Sequence, residues 1–271
     1  MRVMFIGDIV GRGGRRVIRT LLPEIIDRER IDLVIANVEN LAGGFGITVK
    51  TFNEIAKSGV DVGTGGNHIW DNKEYKEVFE DFKGKVLRPA NYPPGTPGDG
   101  YTLVKVNGVD VGVINLQGRI FMDPIDCPFR KADEILDKIK NVKIKIVDFH
   151  AEATSEKKAM FFYLDGRVSA VFGTHTHIQT ADEVVSLKGT AYITDVGMTG
   201  SFDSILGVRK EDAMEKIIKR LPTRFRQATG DLRLNSVIIE VDEKSGKTLK
   251  IERFNKNLEE GVNDGKETQR D

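Results

Sequence analysis

Short apolar runs of the kind that form buried strands alternate with longer amphipathic stretches through the first third of this 271-residue chain. Parallel strands need a crossover connection, which is usually a helix, so this alternation favours an α/β fold with largely parallel strands. The predicted strands are residues 3–6, 33–38 and 60–64, and the predicted helices are residues 15–28 and 71–82. A chain of this length, with 39% hydrophobic residues, is long enough to bury a sizeable core.

The later part of the chain adds hairpin signals to this pattern. Asn107-Gly108 separates two strand-like runs, and an Asn-Gly pair favours the tight primed turn of a two-residue hairpin. A second hairpin is predicted around Lys188-Gly189, and a late helix over residues 213–221. Residues 138–146 alternate Lys with Ile or Val, which predicts an amphipathic strand with one face in solvent.

Composition excludes several classes of protein and function. Lys plus Arg and Asp plus Glu both number 41, so no overall field attracts nucleic acid or an anionic membrane. No apolar run approaches the roughly 18 residues of a membrane span. The single cysteine, Cys127, excludes an internal disulfide and fits a reducing compartment, and we expect a cytoplasmic protein. We also expect one domain over residues 1–254 and a flexible polar tail over 255–271. Whether the chain forms a homo-oligomer stays open.

All four histidines lie where an apolar run gives way to a Gly-rich or acidic loop. They occur in the segments GGNHIWD (65–71), DFHAE (148–152) and GTHTH (173–177). Two other strand ends are acidic, at Asp8 in FIGDIVG and at Glu39-Asn40 in NVEN. In open α/β sheets, ligand sites form beyond the carboxyl ends of the strands. Imidazole, carboxylate and amide oxygen gathered there predict a transition-metal site.

Each of these residues, when it is taken alone, could have an ordinary structural role instead of binding metal. An Asp after a strand is usually a turn or helix cap, and a lone buried His is usually a hydrogen-bonded core residue. The occurrence of all these residues together at strand ends is harder to explain by structural roles. Asp8 and Glu39 facing each other would repel unless a cation lay between them, and two metal ions sharing a carboxylate would clamp a phosphoryl group during displacement.

The five strand-end segments, in this order over residues 5–177, resemble the five blocks of the calcineurin-like metallophosphoesterases. The segments NVENLAGGFGIT (37–48), RPANYP (88–93), DFHAEATSEK (148–157) and DVGMTGS (195–201) more narrowly resemble the bacterial YmdB-like branch of cyclic-nucleotide phosphodiesterases. The resemblance covers nearly all of the chain before the polar tail. It implies a four-layer α/β/β/α sandwich of two mixed β-sheets.

The same resemblance implies a ligand set for two metal ions. Asp8, Asn40 and His177 would bind one ion, and Asn67, His150 and His175 the other, with Glu39 as the bridge. The chain departs from the wider superfamily because Asp8 is not followed by the usual Asp-x-His histidine, and Asn40 stands in for it. Glu39 occupies a position where Asp is common. An amide oxygen is a harder ligand than imidazole, so this replacement favours Fe or Mn, with Zn as the further candidate.

His68 is then the one histidine without a predicted metal. Because it follows Asn67, we expect it to act as general acid for the leaving oxygen, with a metal-bridging hydroxide as nucleophile. The alternative is that His68 only orients ligands. The implied function is a dinuclear phosphodiesterase on small cyclic nucleotides, 2′,3′- or 3′,5′-cyclic. A phosphomonoesterase or protein phosphatase, and a non-catalytic metal or nucleotide-binding regulator, are the alternatives.

The residues that hold the nucleotide are left open by the sequence. Trp70, Tyr92 and Met198 adjoin the metal segments and could line a base pocket, with packing as an equal alternative. Arg224 and Arg226 flank Phe225, a combination that suits phosphate and base but equally suits a solvated loop.

Overall fold

The computed structural model describes residues 1–259. Its helices are α1 (Gly11–Glu29), α2 (Val49–Ala56), α3 (Tyr75–Asp81), α4 (Pro128–Lys138), α5 (Thr154–Leu164) and α6 (Lys210–Lys219). Its strands are β1 (Arg2–Ile6), β2 (Asp8–Ile9), β3 (Leu33–Asn37), β4 (Val62–Thr64), β5 (Tyr101–Val106), β6 (Val109–Gln117), β7 (Ile144–His150), β8 (Ala170–Thr174), β9 (Val184–Val185), β10 (Ala191–Ile193), β11 (Met198–Ser201), β12 (Leu232–Val241) and β13 (Thr248–Asn257).

Within the described residues the strands form two mixed sheets. The first sheet has seven strands in the order β2-β11-β12-β1-β3-β4, with β13 paired to β12. The second has six strands in the order β5-β6-β7-β8-β10-β9. Parallel pairs lie at one side of the first sheet, at β1-β3-β4, and in the middle of the second, at β6-β7-β8-β10, and antiparallel strands lie beside them.

Three hydrophobic cores separate four layers, as the family resemblance implies. Alternate residues of β1 point to opposite faces, so Met4 and Ile6 pack against α1, α2 and α3, whereas Val3 and Phe5 pack between the sheets. Phe5 meets Phe172 of the second sheet at a ring-centroid distance of 5.0 Å. The outer face of the second sheet packs against α4 and α5. The α/β/β/α sandwich is therefore confirmed.

The two predicted hairpins are present. Asn107 and Gly108 both have positive φ, 50° and 86°, which is the backbone of the primed turn that Asn-Gly favours. β9 and β10 pair antiparallel around Lys188-Gly189. One prediction for this region was wrong: residues 138–146 do not form a strand with a solvated face.

The Lys and Ile alternation fails because of where the segment lies. α4 continues to Lys138, and β7 begins only at Ile144. All seven residues of β7 are buried, since this strand runs between β6 and β8 with a layer packed on each face. In a strand that is covered on both faces, the side chains on both faces are buried, so hydrophobic and solvent-facing residues do not alternate.

The C-terminal boundary differs slightly from the predicted tail over 255–271. β13 extends to Asn257, and Leu258 is buried against the first core. Residues 260–271 lie outside the described part of the chain. Among the described helices, none has the length and hydrophobicity needed to cross a membrane.

Candidate metal centre

The carboxyl ends of five strands bring the predicted ligands to one edge of the sandwich. Asp8 and Glu39-Asn40 follow β1 and β3, and Asn67-His68 follows β4. His150 ends β7, and the His175-to-His177 loop follows β8. The parallel register of these strands aligns their ends, which is the reason that segments far apart in sequence meet.

Gly66 shows how closely these side chains approach the backbone. A Cβ atom built at this position would lie 2.3 Å from Nε2 of His150 and 2.5 Å from Oε2 of Glu39. Real Cβ contacts do not reach such distances, so only glycine leaves room for the two side chains to meet. The Gly-Gly pair of the GGNH segment is therefore part of the site's construction.

We call Asn67, His150 and His175 the inner group. Nε2 of His150 lies 3.1 Å from Oδ1 of Asn67 and 3.0 Å from Nδ1 of His175. The same atom is 3.1 Å from Oε1 of Glu39. Ligand atoms of Glu39, His150 and His175 all lie within 4.8 Å of one another. Several electron-pair donors around one buried point suit a bound cation, because a single proton satisfies only one such pair.

We call Asp8, Asn40 and His177 the outer group. Nε2 of His177 lies 3.7 Å from Oδ1 of Asp8 and 3.3 Å from Nδ2 of Asn40. The Asn40 amide is related to a coordinating orientation by a flip that exchanges Oδ1 and Nδ2. Oδ1 of Asp8 is fully buried and has no hydrogen-bond donor among the described residues. A buried carboxylate oxygen without a donor is costly unless a cation compensates it, so this group also fits a metal ion.

Glu39 contacts the inner group and the loop that carries His68. Its Oε1 faces His150 of the inner group, and its Oε2 accepts a hydrogen bond from the backbone N–H of His68 at 2.9 Å. Burial raises the pKa of Asp8, and the negative charge of Glu39 raises it further. This is the repulsion that the sequence predicted for two acidic strand ends around a cation.

The ionisation of Glu39 and His150 is coupled. Burial alone would raise the pKa of Glu39, but the charge and hydrogen bond of His150 outweigh it and lower that pKa to about 2. Burial likewise opposes protonation of His150, and Glu39 nevertheless raises the pKa of His150 to about 9. Burial and the positive charge of His150 lower the pKa of His175 to about 3.

A buried hydrogen-bond chain fixes the tautomer of His150. Oγ1 of Thr174 donates to Oδ1 of Asp148 at 2.7 Å, so it accepts from Nδ1 of His150 at 2.9 Å. Nδ1 therefore carries the proton, and Nε2 presents its lone pair to the inner group. Thr64 and Asn37 also donate to Asp148, and burial raises the pKa of this carboxyl to about 7.

The sequence reasoning missed this chain, although a signal was present. Asp148 precedes His150 by two residues on β7, so both side chains lie on the same face of the strand. The spacing Asp-x-His within DFHAE (148–152) could have identified the carboxylate as a support for the imidazole. Thr174 could not have been found in this way, because it belongs to β8 and meets His150 only through strand pairing.

A second buried network holds the loop that carries His175 and His177. Both residues have positive φ, 100° and 65°, a conformation that costs energy in residues other than glycine. Nζ of Lys157 lies 2.7 Å from Oδ2 of Asp195, and both side chains are fully buried. The same oxygen accepts from the N–H of Thr176 at 3.1 Å and from its hydroxyl at 2.7 Å.

Lys157 and Asp195 therefore position the loop that carries the predicted ligands His175 and His177. They come from DFHAEATSEK (148–157) and DVGMTGS (195–201), the segments that carry the narrower family resemblance. Nδ1 of His177 faces the carbonyl oxygen of Leu206 at 3.1 Å.

His68 lies beside both groups and has a carboxylate partner of its own. Its Nδ1 is 2.7 Å from Oδ2 of Asp71, the acid three residues further on, and its side chain is one-third exposed. The ring packs edge-on against Phe45 at 5.0 Å. His68 lines a cavity of about 330 Å³, which we call the catalytic cavity; His175, His177, Phe45, Leu206, Phe225 and Gln227 are among its other lining residues.

The residues that the sequence suggested for a base pocket form two sets, one packed against neighbouring side chains and one lining the catalytic cavity. Trp70 packs against Tyr75, Phe79 and Tyr92 with centroid distances of 5.3–5.7 Å, and Met198 is buried. Trp70, Tyr92 and Met198 are therefore packing residues. Phe225 and Arg226 do line the catalytic cavity, and so does Phe45, which the sequence reasoning overlooked.

Comparison with known proteins gives matches along most of the chain. The model of the YmdB-like protein family matches residues 4–254. The 2′,3′-cyclic-nucleotide 2′-phosphodiesterase of Bacillus subtilis strain 168 is 49% identical over 255 residues, which are 94% of this chain and 96% of that protein. A crystal structure described as a novel phosphatase from Mycoplasma pneumoniae has a TM-score of 0.90 and 34% identity, covering 95% of this chain and 93% of that one.

A more distant structure shares the fold alone. The 5′-nucleotidase precursor from Thermus thermophilus has a TM-score of 0.58 and 15% identity, covering 95% of this chain and 54% of that one.

Proposed function

The chain belongs to the YmdB-like protein family and has the metallophosphoesterase fold, and we propose that it is a metal-dependent phosphodiesterase acting on 2′,3′-cyclic nucleotides. The observation that carries this proposal is the convergence of the two ligand groups at the catalytic cavity, with Glu39 in contact with His150 of the inner group. The Bacillus subtilis relative carries the name of that activity, which supports the choice of substrate class.

The inner and outer groups would each bind one transition-metal ion, with Glu39 shared between them. Imidazole and carboxylate ligands with two amide oxygens favour Fe or Mn, and Zn is the further candidate. When bound, the two ions would supply Lewis-acid activation of the phosphoryl group and of water.

His68 would deliver the proton that the leaving oxygen needs. Asp71 engages Nδ1 and leaves Nε2 for the substrate, and a carboxylate on one nitrogen fixes the orientation of the imidazole ring. As water adds to phosphorus and the bond from phosphorus to the 2′ oxygen breaks, Nε2–H would protonate that oxygen and yield a 2′-hydroxyl and a 3′-phosphate.

The walls of the catalytic cavity support a nucleoside rather than a protein substrate. Phe45 and Phe225 offer aromatic faces, and Leu206 offers an apolar one, which suits a nucleobase held above the reacting phosphate. A 3′,5′-cyclic nucleotide would use the same walls. A phosphomonoesterase on the same ligand groups is the runner-up.

Metal-loaded protein, reconstituted anaerobically with Fe or Mn, would be assayed on adenosine 2′,3′-cyclic phosphate, on its 3′,5′ isomer and on p-nitrophenyl phosphate. We expect the 2′,3′ isomer to be hydrolysed fastest, with 3′-AMP as product and no turnover after chelation. Faster release of phosphate from p-nitrophenyl phosphate would favour the monoesterase instead. No hydrolysis under any metal would contradict the enzyme proposal.

A further inference from the structure

A second cavity, of about 420 Å³, adjoins the catalytic cavity and is strongly basic. Arg12, Arg15, Arg16 and Arg209 line it, and no acidic side chain does so among the described residues. We call it the arginine cavity. Because the whole chain has equal numbers of acidic and basic residues, four arginines around one cavity are a local concentration of charge rather than a general property of the surface.

The arginine cavity also includes the beginning of α1. This helix of 19 residues starts at Gly11 and has no acidic residue in its first turn, so no side chain of that turn compensates its positive end. Arg15 is fixed in place, since its guanidinium donates to the Leu41 carbonyl at 2.5 Å and to Glu54 at 2.8 Å.

The other arginines of the cavity can reach an incoming ligand. Arg12 and Arg209 are exposed residues. Arg12 and Arg16 also have interactions of their own, so an arriving anion would exchange partners with them rather than meet unsolvated charges.

The wall between the two cavities is thin. Gly43 and Gln227 line both of them. Oε1 of Gln227 accepts from the N–H of Arg12 at 3.2 Å, and Nε2 of Gln227 is buried with no acceptor among the described residues. The N–H of Gly11 donates to the carbonyl oxygen of Asn40 at 2.8 Å. The arginine cavity therefore begins one hydrogen bond away from a predicted metal ligand.

We propose that the arginine cavity binds a second phosphate of the substrate, attached to the 5′ oxygen of the nucleoside whose cyclic phosphate lies at the metal centre. Guanidinium groups match phosphate oxygens in charge and in paired donor geometry. A simple cyclic mononucleotide has one phosphate and would leave this cavity without a ligand.

The proposal rests on the proposed function in one respect, the position of the cyclic phosphate. Two kinds of molecule carry both a cyclic phosphate and a phosphate on the 5′ oxygen of the same nucleoside. One is a 5′-phosphorylated mononucleotide 2′,3′-cyclic phosphate, and the other is the 3′ end of an RNA that terminates in a cyclic phosphate.

The test compares kcat/KM of metal-loaded enzyme on three substrates: adenosine 2′,3′-cyclic phosphate, its 5′-phosphorylated form, and the dinucleotide ApA ending in a 2′,3′-cyclic phosphate. We expect the 5′-phosphate to raise kcat/KM about tenfold or more, chiefly through KM. Arg12→Gln combined with Arg209→Gln should remove most of that advantage. Arg28→Gln, at an exposed arginine near the far end of α1, is the matched control and should keep it.

The same kcat/KM values distinguish the free nucleotide from the RNA end. A higher kcat/KM for the dinucleotide than for the 5′-phosphorylated mononucleotide supports an RNA end, and the reverse order supports a free nucleotide. Equal values for all three substrates in the wild type, or an advantage that survives in the double variant, would overturn the proposal.

Failure of the proposed function would look different. If none of the three substrates is hydrolysed, the cyclic-phosphodiesterase proposal fails, and the arginine cavity is then tested by calorimetry with adenosine 3′,5′-bisphosphate. We expect about tenfold weaker binding to the double variant than to wild type or Arg28→Gln. Equal binding to all three proteins would overturn the arginine cavity as well, and thermal melting of each variant checks that it is folded.

Discussion

The inner and outer groups offer similar ligand atoms but are held in different ways. His150 belongs to a central strand, and its ring is fixed by Thr174 and the fully buried Asp148. His177 lies on the positive-φ loop that also carries His175, and Nδ1 of its ring faces a backbone carbonyl rather than a buried chain of side chains. The distances agree with this difference, since His150 contacts its neighbours at 3.0–3.1 Å whereas His177 is 3.7 Å from Asp8. Because preorganised ligands bind metal with less loss of conformational freedom, the inner group should bind its ion more tightly.

The largest expected effect comes from removing one imidazole from each group in turn. His150→Ala should abolish turnover and remove the inner ion, and the uncompensated charge of Glu39 should destabilise the fold. His177→Ala should also abolish turnover yet retain one ion per chain, because the inner group remains complete. Metal analysis after dialysis measures both. Equal metal contents in the two variants would break the comparison.

His68→Ala should lower kcat by about 10²–10⁴-fold, the usual contribution of a general acid, with metal content close to wild type. Asp71→Asn is the milder companion, since it keeps the imidazole and removes only the carboxylate on Nδ1. Loss of metal in His68→Ala would move this residue into the ligand set and contradict its assignment as the acid.

Thr174→Val tests whether the buried chain is what distinguishes the inner group. The variant removes the acceptor of Nδ1 of His150, and we expect the affinity of the tighter ion to fall about 10–100-fold. Thr64→Val is the matched control, because Thr64 donates to Asp148 but does not contact His150. Competition with a chelating dye gives the affinities, and an equal loss in both variants would argue for a general effect of Asp148.

The smallest effect concerns the cavity wall beyond the outer group. Hydrogen bonds from the backbone N–H and the guanidinium of Arg226 to Asp212 help to position this wall, and they lower the pKa of Asp212 to about 2. The pair therefore stabilises the fold fully above the ordinary carboxyl pKa of about 4, and this contribution is lost as the pH falls towards 2. The urea midpoint of wild type should exceed that of Asp212→Asn at pH 5, and the gap should close near pH 2. A gap that does not change with pH would exclude an ionic origin.

Much of the fold could be predicted from the sequence. Strand and helix alternation predicts an α/β fold with parallel strands, and Asn107-Gly108 predicts its turn. Polar residues at strand ends predict which side chains converge, and the family resemblance implies the four layers and the ligand set. What the sequence reasoning did not find depends on pairing between distant segments: Thr174 beneath His150, the Lys157–Asp195 pair beneath the histidine loop, and Phe45 at the catalytic cavity.

The errors have the same origin. Residues 138–146 carry a local alternation, yet β7 is covered on both faces by layers that only the tertiary fold supplies. Trp70 and Tyr92 adjoin the metal segments in sequence but point into their own aromatic cluster. Proximity along the chain indicates which strand end a residue follows, not which way its side chain points.

The central claim is that Glu39 joins two metal sites into one centre, and electron paramagnetic resonance of the manganese-loaded protein tests it most directly. Two Mn(II) ions about 3.5–4 Å apart, the spacing of two-metal sites, should give an exchange-coupled signal in wild type. In Glu39→Gln that signal should be lost and replaced by isolated ions or by none. A wild-type spectrum of isolated Mn(II) at full metal loading would contradict the account.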